Sequence, residues 1–357
     1  MANIKIRKSE TSKVDKADWN NLKFGVYFTD HIFVSDFKNG KWEDGRIEPY
    51  SAMDIEPANC TLHYGQTIFE GLKAFNAKGG GFNIFRPEMN GERMAKSAEL
   101  ICIPPFDVNH FVEAVKELVK LEIKWIPKRK GESLYIRPFS FGTGNFLGVN
   151  ASDTYRFMIM TSPVASYYAE GLNPIKIIVE TDRVRAVRGG LGSSKTAANY
   201  AASLLAGARA HKLGYSQVLW LDGVHRKYID EVGAMNIMFV IDGELITPSL
   251  SQGNILAGIT RDSVLTLAKE SGMKVTERDI TIDEVYEAYK SGKLNEAFGT
   301  GTAAVISPVG LLHYKEKDMI INDMKKGSHA QKFYDTITGI QYGEIEDKHN
   351  WIVHLNY

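Results

Sequence analysis

The sequence predicts an α/β (or α+β) protein of two domains, in which mixed or antiparallel sheets are flanked by helices. Three observations lead to this class. Strand-like and helical stretches alternate in both halves, a hairpin signal interrupts the second half, and 357 residues suit two domains of about 150 residues each. Hydrophobic residues make up 44% of the chain, which is enough for cores without disulfides or metals.

The strand predictions rest on runs that are rich in β-branched and aromatic residues. These runs are Phe24–Thr29, Leu134–Phe141, Tyr155–Thr161, Ile175–Thr181, Gln217–Asp222 and Ala234–Ile241. Asp242-Gly243 separates the last run from Leu245-Ile246. Because glycine tolerates the positive φ of a type I′ turn, a hairpin is expected there, and the second sheet cannot be purely parallel.

The helix predictions rest on apolar residues spaced along one face and on glycines that follow the last turn. The predicted helices are Asp107–Trp125, Thr196–Leu213 and Arg261–Ser271. In the first, the apolar stripe consists of Phe111, Val115, Leu118 and Val119. Gly214 and Gly272 follow the other two and suit left-handed C-caps.

A domain boundary is predicted where Pro163, Gly171 and Pro174 bracket a short segment between two strong strands. We expect a smaller N-terminal domain at residues 1–162, an interdomain loop at 163–174 and a larger C-terminal domain at 175–357. A ligand is expected in the cleft between the domains, where small-molecule sites are common.

Composition excludes several classes of protein. Lys plus Arg and Asp plus Glu both number 43, and no basic block occurs, so no nucleic-acid partner is expected. Cys60 and Cys102 lack CxxC spacing, and the histidines lack ligand spacing, so no metal is expected. The polar N-terminus and the lack of a long apolar run predict a cytoplasmic protein without membrane attachment.

The densest chemical signal is the glycine-rich loop at residues 189–196, which leads from Gly189 to Lys195 at the start of a helix. A phosphate-binding P-loop would need glycine where Ser194 stands. The positive end of a helix dipole favours the neutral amine of a lysine, as a Schiff-base lysine requires. An ordinary surface lysine in a mobile loop fits this stretch equally well.

Three further segments combine functional residue types with ordinary structural alternatives. Residues 230–236 place Glu231 beside a glycine at a strand edge, where a carboxylate could meet a ring nitrogen or simply close a turn. Residues 256–262 and 298–304 offer backbone amides, hydroxyls and small residues to an anion. Helix capping and a glycine-rich turn explain the last two segments without any ligand.

The first half contributes aromatic residues and an arginine in strand-like contexts, at residues 62–71 and 133–138. Alternation along a strand places Tyr135 and Arg137 on one face. A buried arginine needs anionic or multiple acceptors, so a substrate carboxylate is one partner for Arg137. The aromatic residues are equally compatible with a core.

Taken together and in this order, the motifs HYGQTIFEGLKAF, RPEMNGERM, SLYIRP, GSSKTAANY, EVGAMN, LAGITR and GTGTAA closely resemble those of the branched-chain-amino-acid aminotransferases. This family belongs to the fold-type IV enzymes that depend on pyridoxal 5′-phosphate. The resemblance runs from about Phe24 to the C-terminal region. It implies a fold-type IV structure with the cofactor in the interdomain cleft and bound by the C-terminal domain.

The resemblance assigns the cofactor contacts residue by residue. Lys195 would form the Schiff base and move the proton during catalysis. Glu231 would bond the pyridine nitrogen, and Tyr200 would bond the phenolic oxygen of the ring. The phosphate ligands would be Arg93, Ile259, Thr260 and Thr302.

The resemblance also implies a substrate site and a homodimer. Thr302, Ala303 and Tyr135 would hold the α-carboxylate, and Arg137 would receive the distal carboxylate of glutamate. The apolar pocket would consist of Phe24, Phe69, Tyr167 and Tyr200. Tyr64 matches a position that the family contributes across a dimer interface.

The implied activity is reversible transfer of the amino group of leucine, isoleucine or valine to 2-oxoglutarate by a ping-pong cycle. The alternatives within the fold are a D-amino-acid aminotransferase and an aminodeoxychorismate lyase, over which Tyr135, Arg137 and the Tyr64–Phe69 spacing favour the branched-chain enzyme. From other classes, the rivals are a nucleotide-binding ATPase or kinase and a non-catalytic binding protein. Ser194 argues against the former and the retained lysine and glutamate against the latter.

Overall fold

The computed structural model describes residues 4–166 and 172–356. The chain forms two compact units. The N-terminal unit comprises Met1–Ala169, Ser194–Ala197 and Gly339–Tyr357, and the C-terminal unit comprises Glu170–Ser193 and Ala198–Thr338. The domain division expected at residues 163–174 stays a prediction, but the compact units depart from it at two places. Both residues 194–197 and residues 339–357 belong to the N-terminal unit, although the sequence placed them in the second domain.

The strands before residue 167 are β1 (Lys5–Ile6), β2 (His31–Lys38), β3 (Lys41–Trp42), β4 (Arg46–Pro49), β5 (Thr67–Phe69), β6 (Leu72–Asn76), β7 (Phe82–Phe85), β8 (Ser133–Gly142) and β9 (Tyr155–Val164). The helices there are α1 (Cys60–Tyr64), α2 (Pro87–Glu99) and α3 (Val108–Leu121).

The strands after residue 171 are β10 (Ile175–Val179), β11 (Gln217–Leu221), β12 (Ile229–Val232), β13 (Met235–Ile241), β14 (Glu244–Thr247), β15 (Val275–Glu277), β16 (Leu294–Gly301), β17 (Val305–Tyr314), β18 (Lys317–Ile320) and β19 (Ile352–Leu355). The helices there are α4 (Ala197–Lys212), α5 (Ile259–Glu270), α6 (Ile282–Lys290) and α7 (Ser328–Gln341).

The N-terminal unit is built on one sheet with the strand order β1-β4-β2-β9-β8-β6-β7-β19, to which β3 and β5 add at β2 and β8. Its pairs are antiparallel apart from β1 with β4. The stripe of α3 is buried in the same core as Phe33 and Phe157 of the sheet. Burial of this stripe stabilises the helix, as its spacing in the sequence predicts.

The C-terminal unit contains a mixed sheet with the order β12-β11-β10-β17-β16-β13-β14-β15, in which β12 also pairs with β13 and so closes part of the sheet into a ring. Strand β10 runs parallel to β11 and β17, whereas β13 and β14 form an antiparallel hairpin. Asp242 and Gly243 both have positive φ, at 53° and 77°, as a type I′ turn requires. The predicted hairpin is therefore confirmed.

Most predicted elements occur within a few residues of their expected bounds, but the strand predicted at Phe24–Thr29 is wrong. This segment forms turns, and the strand begins at His31. Gly25 has φ of 67°, which interrupts an extended backbone. The aromatic residues of the segment serve side-chain contacts instead, since Phe28 stacks on Tyr50 with ring centres 5.3 Å apart.

The described helices include none with the length and apolar character needed to cross a membrane.

Candidate active site

Lys195 is held beside β5 in the N-terminal unit. Its backbone N–H donates to Ser97 Oγ at 2.9 Å, and its carbonyl accepts from the Phe69 N–H at 3.0 Å. The next residue, Thr196, forms a β-bridge with Ile68. The side chain is half-buried, and Nζ lies 4.8 Å from the centre of the Phe69 ring. Because its backbone is fixed on both sides, the amine has the restricted position that a reacting group needs.

A buried ion pair joins Glu70, which follows β5, to Arg93 of α2. Arg93 Nε and Nη2 donate to the two oxygens of Glu70 at 2.7 and 2.8 Å, and Asn90 Nδ2 donates at 2.7 Å. Burial would raise the pKa of Glu70, but the charges of Arg93 and Lys195 and the hydrogen bonds to the carboxylate hold this pKa below its usual value. The pair orients Arg93, whose role as a phosphate ligand stays a prediction.

An aromatic cluster around Arg137 lies in the same unit. Tyr135 and Arg137 share one face of β8, as alternation predicts, and Arg137 Nη2 donates to Tyr135 Oη at 2.9 Å. The guanidinium carbon lies 4.7 Å from the centre of the Phe69 ring, and Phe24 meets Tyr135 edge to face with ring centres 4.8 Å apart. A Cβ at Gly71 would lie 2.2 Å from Tyr135 Oη, so this close approach requires glycine. The sequence-predicted residues Phe24, Phe69, Tyr135 and Arg137 are thus brought together.

Glu231 lies on β12 of the C-terminal unit with both carboxylate oxygens next to donors. It faces Asn236 of β13 across a two-residue turn, in which Gly233 has φ of 57°. Asn236 Nδ2 donates to Oε1 at 2.9 Å, and Arg185 Nε lies 2.8 Å from Oε2. Arg185 is anchored in turn by hydrogen bonds from Nη2 to two backbone carbonyls. The carboxylate is therefore buried with a cation and an amide to fix its position.

Two turns of the C-terminal unit carry the remaining predicted phosphate and carboxylate ligands. Helix α5 begins at Ile259 and Thr260, after Gly258, which has no side chain to bond the first amides. These amides lie at the positive end of the helix dipole, where anions bind. Thr302 and Ala303 lie half-buried in the turn between β16 and β17.

The three other predicted tyrosines have different surroundings. Tyr200 is half-buried in the first turn of α4. Tyr64 lies on α1, is 40% exposed and donates a hydrogen bond to the Leu147 carbonyl. Tyr167 lies outside the described residues. The contacts of these tyrosines with cofactor or substrate stay predictions.

Three residues of these arrangements were given no role from the sequence, namely Glu70, Arg185 and Asn236. Asn236 could have been found, because a two-residue turn at Gly233 places it directly opposite Glu231. Glu70 lies within a quoted motif, but its partner Arg93 is 23 residues away on α2. Arg185 lies in the loop after β10, and nothing in the local pattern indicates which carboxylate it meets.

The donor groups fit pyridoxal 5′-phosphate group by group. The aldehyde needs an amine, which Lys195 provides, and the ring nitrogen needs a buried carboxylate, which Glu231 provides. The phosphate needs several N–H and hydroxyl donors, and Arg93 and the amides at the start of α5 have this chemistry. Thr300, two residues before Thr302, has a buried hydroxyl without a hydrogen-bond partner among the described residues, so a polar donor remains for a ligand there.

The comparison with protein families decides the assignment. Residues 67–312 match the family model of the class IV aminotransferases, and this range contains Lys195 and Glu231. The chain belongs to the class IV aminotransferases. The predicted family resemblance and the fold-type IV class are thereby confirmed.

This class IV aminotransferase has relatives of similar length. Branched-chain-amino-acid aminotransferase 2 of Bacillus subtilis (strain 168) is 53% identical over 349 residues, which cover 98% of this chain and 96% of the relative. The solved branched-chain aminotransferase of the thermophilic archaeon Thermoproteus uzoniensis, with norvaline, has a TM-score of 0.74 at 25% identity. That match covers 91% of this chain and 98% of the solved chain.

A second solved structure carries a form of the cofactor. It is the branched-chain amino acid aminotransferase of T.th. with pyridoxamine 5′-phosphate, and its TM-score is 0.76 at 26% identity. The match covers 92% of this chain and 100% of the solved chain. The same enzyme complexed with N-(5′-phosphopyridoxyl)-L-glutamate has a TM-score of 0.74 at 27% identity, and that match covers 91% and 98% of the two chains.

Proposed function

We propose that this chain is a branched-chain-amino-acid aminotransferase that moves the amino group of leucine, isoleucine or valine to 2-oxoglutarate with pyridoxal 5′-phosphate. The observation that carries the proposal is the placement of the Lys195 amine at the Phe69 ring, in the unit that also contains the Tyr135–Arg137 pair. The D-amino-acid aminotransferase and lyase alternatives are not favoured, since relatives at 50–53% identity over nearly the whole chain are branched-chain enzymes.

When bound, pyridoxal 5′-phosphate supplies an aldehyde for the amino group and a ring that accepts negative charge from the substrate Cα. Lys195 supplies the amine that holds the cofactor, and it takes the proton from the substrate Cα and returns it. Glu231 keeps the proton on the ring nitrogen, with Arg185 and Asn236 fixing its carboxylate. Arg93, Ile259, Thr260 and Thr302 bind the phosphate, and Tyr200 orients the ring.

Substrate recognition has to serve both an apolar and an acidic side chain. The rings of Phe24, Phe69 and Tyr135 offer apolar surface to a branched side chain, and Tyr135 with Thr302 and Ala303 binds the α-carboxylate. Arg137 Nε is buried and has no hydrogen-bond partner among the described residues. We infer that this donor pairs with the distal carboxylate of glutamate and 2-oxoglutarate, because an unpaired buried guanidinium nitrogen is costly.

A homodimer and a cytoplasmic location belong to the same proposal. Large apolar side chains are exposed on and near α1 of the N-terminal unit, where Leu62 is 62%, Leu147 68% and Val149 83% exposed. An apolar group of this kind, next to Tyr64, is typical of an interaction surface, and a second copy of the chain is the partner that the family resemblance implies.

A substrate panel on the wild type and on Arg137→Gln tests the function and the Arg137 assignment together. The wild type should accept leucine, isoleucine, valine and glutamate as amino donors and should leave D-alanine unused. Arg137→Gln should raise the KM for 2-oxoglutarate by about 10- to 150-fold, since a charge-assisted hydrogen bond contributes about 1.5–3 kcal/mol. The half-reaction with leucine should change far less.

Arg129→Gln is the matched control, because Arg129 is a largely exposed arginine of the same unit. Faster turnover of D-alanine than of leucine would refute the branched-chain assignment. Equal losses of leucine and 2-oxoglutarate activity in Arg137→Gln would remove Arg137 from its role in recognising the distal carboxylate.

A further inference from the structure

The C-terminal unit contains a cavity of about 310 Å³ that none of the residues proposed for the cofactor or the substrate lines. This volume is at the lower end of the about 300–1,000 Å³ typical of small-molecule sites. Adjacent strand residues point to opposite faces, so Asp230 of β12 points away from the side that presents Glu231. The lining includes Asp222, Tyr228, Asp230, Asn254 and Ile255.

Two buried acceptors face this cavity without donors. Asp230 and Asn254 are 3% and 6% exposed, and Asp230 Oδ2 and Asn254 Oδ1 have no hydrogen-bond partner among the described residues. Asn254 Nδ2 donates to Asp230 Oδ1 at 2.8 Å, which fixes the orientation of the amide and leaves both other oxygens as acceptors. An unpaired buried acceptor costs about 1–3 kcal/mol, so the site favours a ligand with several N–H donors.

The charges around Asp230 favour a cation. Asp222 is satisfied by four backbone N–H groups, and Arg185 lies at Glu231, so Asp230 is the carboxyl without a cation of its own. Burial raises the pKa of Asp230 to about 7; Arg185 opposes this rise, and Glu231 and Asp222 add to it. A positive group beside Asp230 would stabilise its ionised form.

We propose that this cavity binds a small molecule through a protonated primary amine, whose N–H groups donate to Asp230 Oδ2 and Asn254 Oδ1. The exposed Arg188 also lines the cavity and offers its guanidinium to an anionic group of the same ligand. The amine could therefore come from a free α-amino acid or from an amine without a carboxylate. The site does not depend on the aminotransferase reaction, because its residues take no part in the proposed mechanism.

The test is calorimetric titration of the holoenzyme in its pyridoxamine form, in which no aldehyde is present to react with added amines. The probes are isobutylamine and valine, which differ by the carboxylate. Isobutylamine should bind the wild type and should bind Asp230→Asn at least 10-fold more weakly. Asp242→Asn, which removes an exposed carboxylate from the β13–β14 turn, should bind like the wild type.

The valine titration distinguishes the two sources of the amine. Tighter binding of valine than of isobutylamine, with the difference lost in Arg188→Gln, identifies an amino-acid site; equal binding identifies a site for simple amines. Absence of isobutylamine binding to the wild type, or unchanged binding to a folded Asp230→Asn, overturns the proposal. If Asp230→Asn does not fold, wild-type crystals soaked with isobutylamine decide, since water alone beside Asp230 Oδ2 would also overturn it.

Discussion

Replacing Lys195 with alanine should reduce transamination of leucine by at least about 10⁴-fold, because the variant loses both the amine that holds the cofactor and the group that moves the proton. The alanine side chain leaves the backbone contacts of residue 195 with Ser97 and Phe69 in place. The variant should therefore fold normally and still bind pyridoxal 5′-phosphate without a covalent bond. Single-turnover kinetics with leucine and absorbance of the bound cofactor measure both effects.

Lys212→Ala is the control for this variant, since Lys212 is an exposed lysine at the end of α4. It should keep wild-type activity. Retention of more than a few per cent of the activity by Lys195→Ala would show that another residue carries out the chemistry.

The Glu231→Gln variant should lower turnover by about 10²- to 10³-fold, the loss expected when one preorganised charged partner of a reacting system is removed. The carboxamide has nearly the same shape as the carboxylate, so Asn236 can still donate to its oxygen. It cannot keep a proton on the ring nitrogen, and the loss should fall on removal of the substrate Cα proton. A primary kinetic isotope effect with Cα-deuterated leucine should therefore grow.

Glu287→Gln supplies the comparison, because Glu287 is an exposed glutamate of the same unit that pairs with Lys290. Its kinetics should match those of the wild type. If Glu231→Gln turned over leucine at the wild-type rate with an unchanged isotope effect, Glu231 would have no role at the ring nitrogen.

Local patterns were sufficient for the elements whose stability is local. The stripe of α3 and the Asp242-Gly243 turn were predicted because each follows from residues close together in the chain. The strand predicted at Phe24–Thr29 failed, because its β-branched and aromatic composition does not reveal that Gly25 adopts a positive φ. Nor could composition show that residues 194–197 and 339–357 belong to the N-terminal unit.

The candidate site divides along the same line. Motif resemblance named Lys195, Arg93 and Glu231, and alternation alone placed Tyr135 beside Arg137. The partners that hold these groups were missed where they come from distant segments, as Glu70 does for Arg93 and Arg185 does for Glu231. Such pairs depend on how the sheet brings segments together, and a single sequence carries no signal for that.

Borohydride reduction of the holoenzyme, followed by proteolysis and mass spectrometry, tests most directly that Lys195 carries the cofactor. One phosphopyridoxyl group should appear, on the peptide that contains Lys195. The chain offers a stringent internal rival in Lys73 of β6, a buried lysine whose pKa burial lowers to about 8. Modification of Lys73 in place of Lys195, or no covalent label on a protein that binds the cofactor, would contradict the assignment.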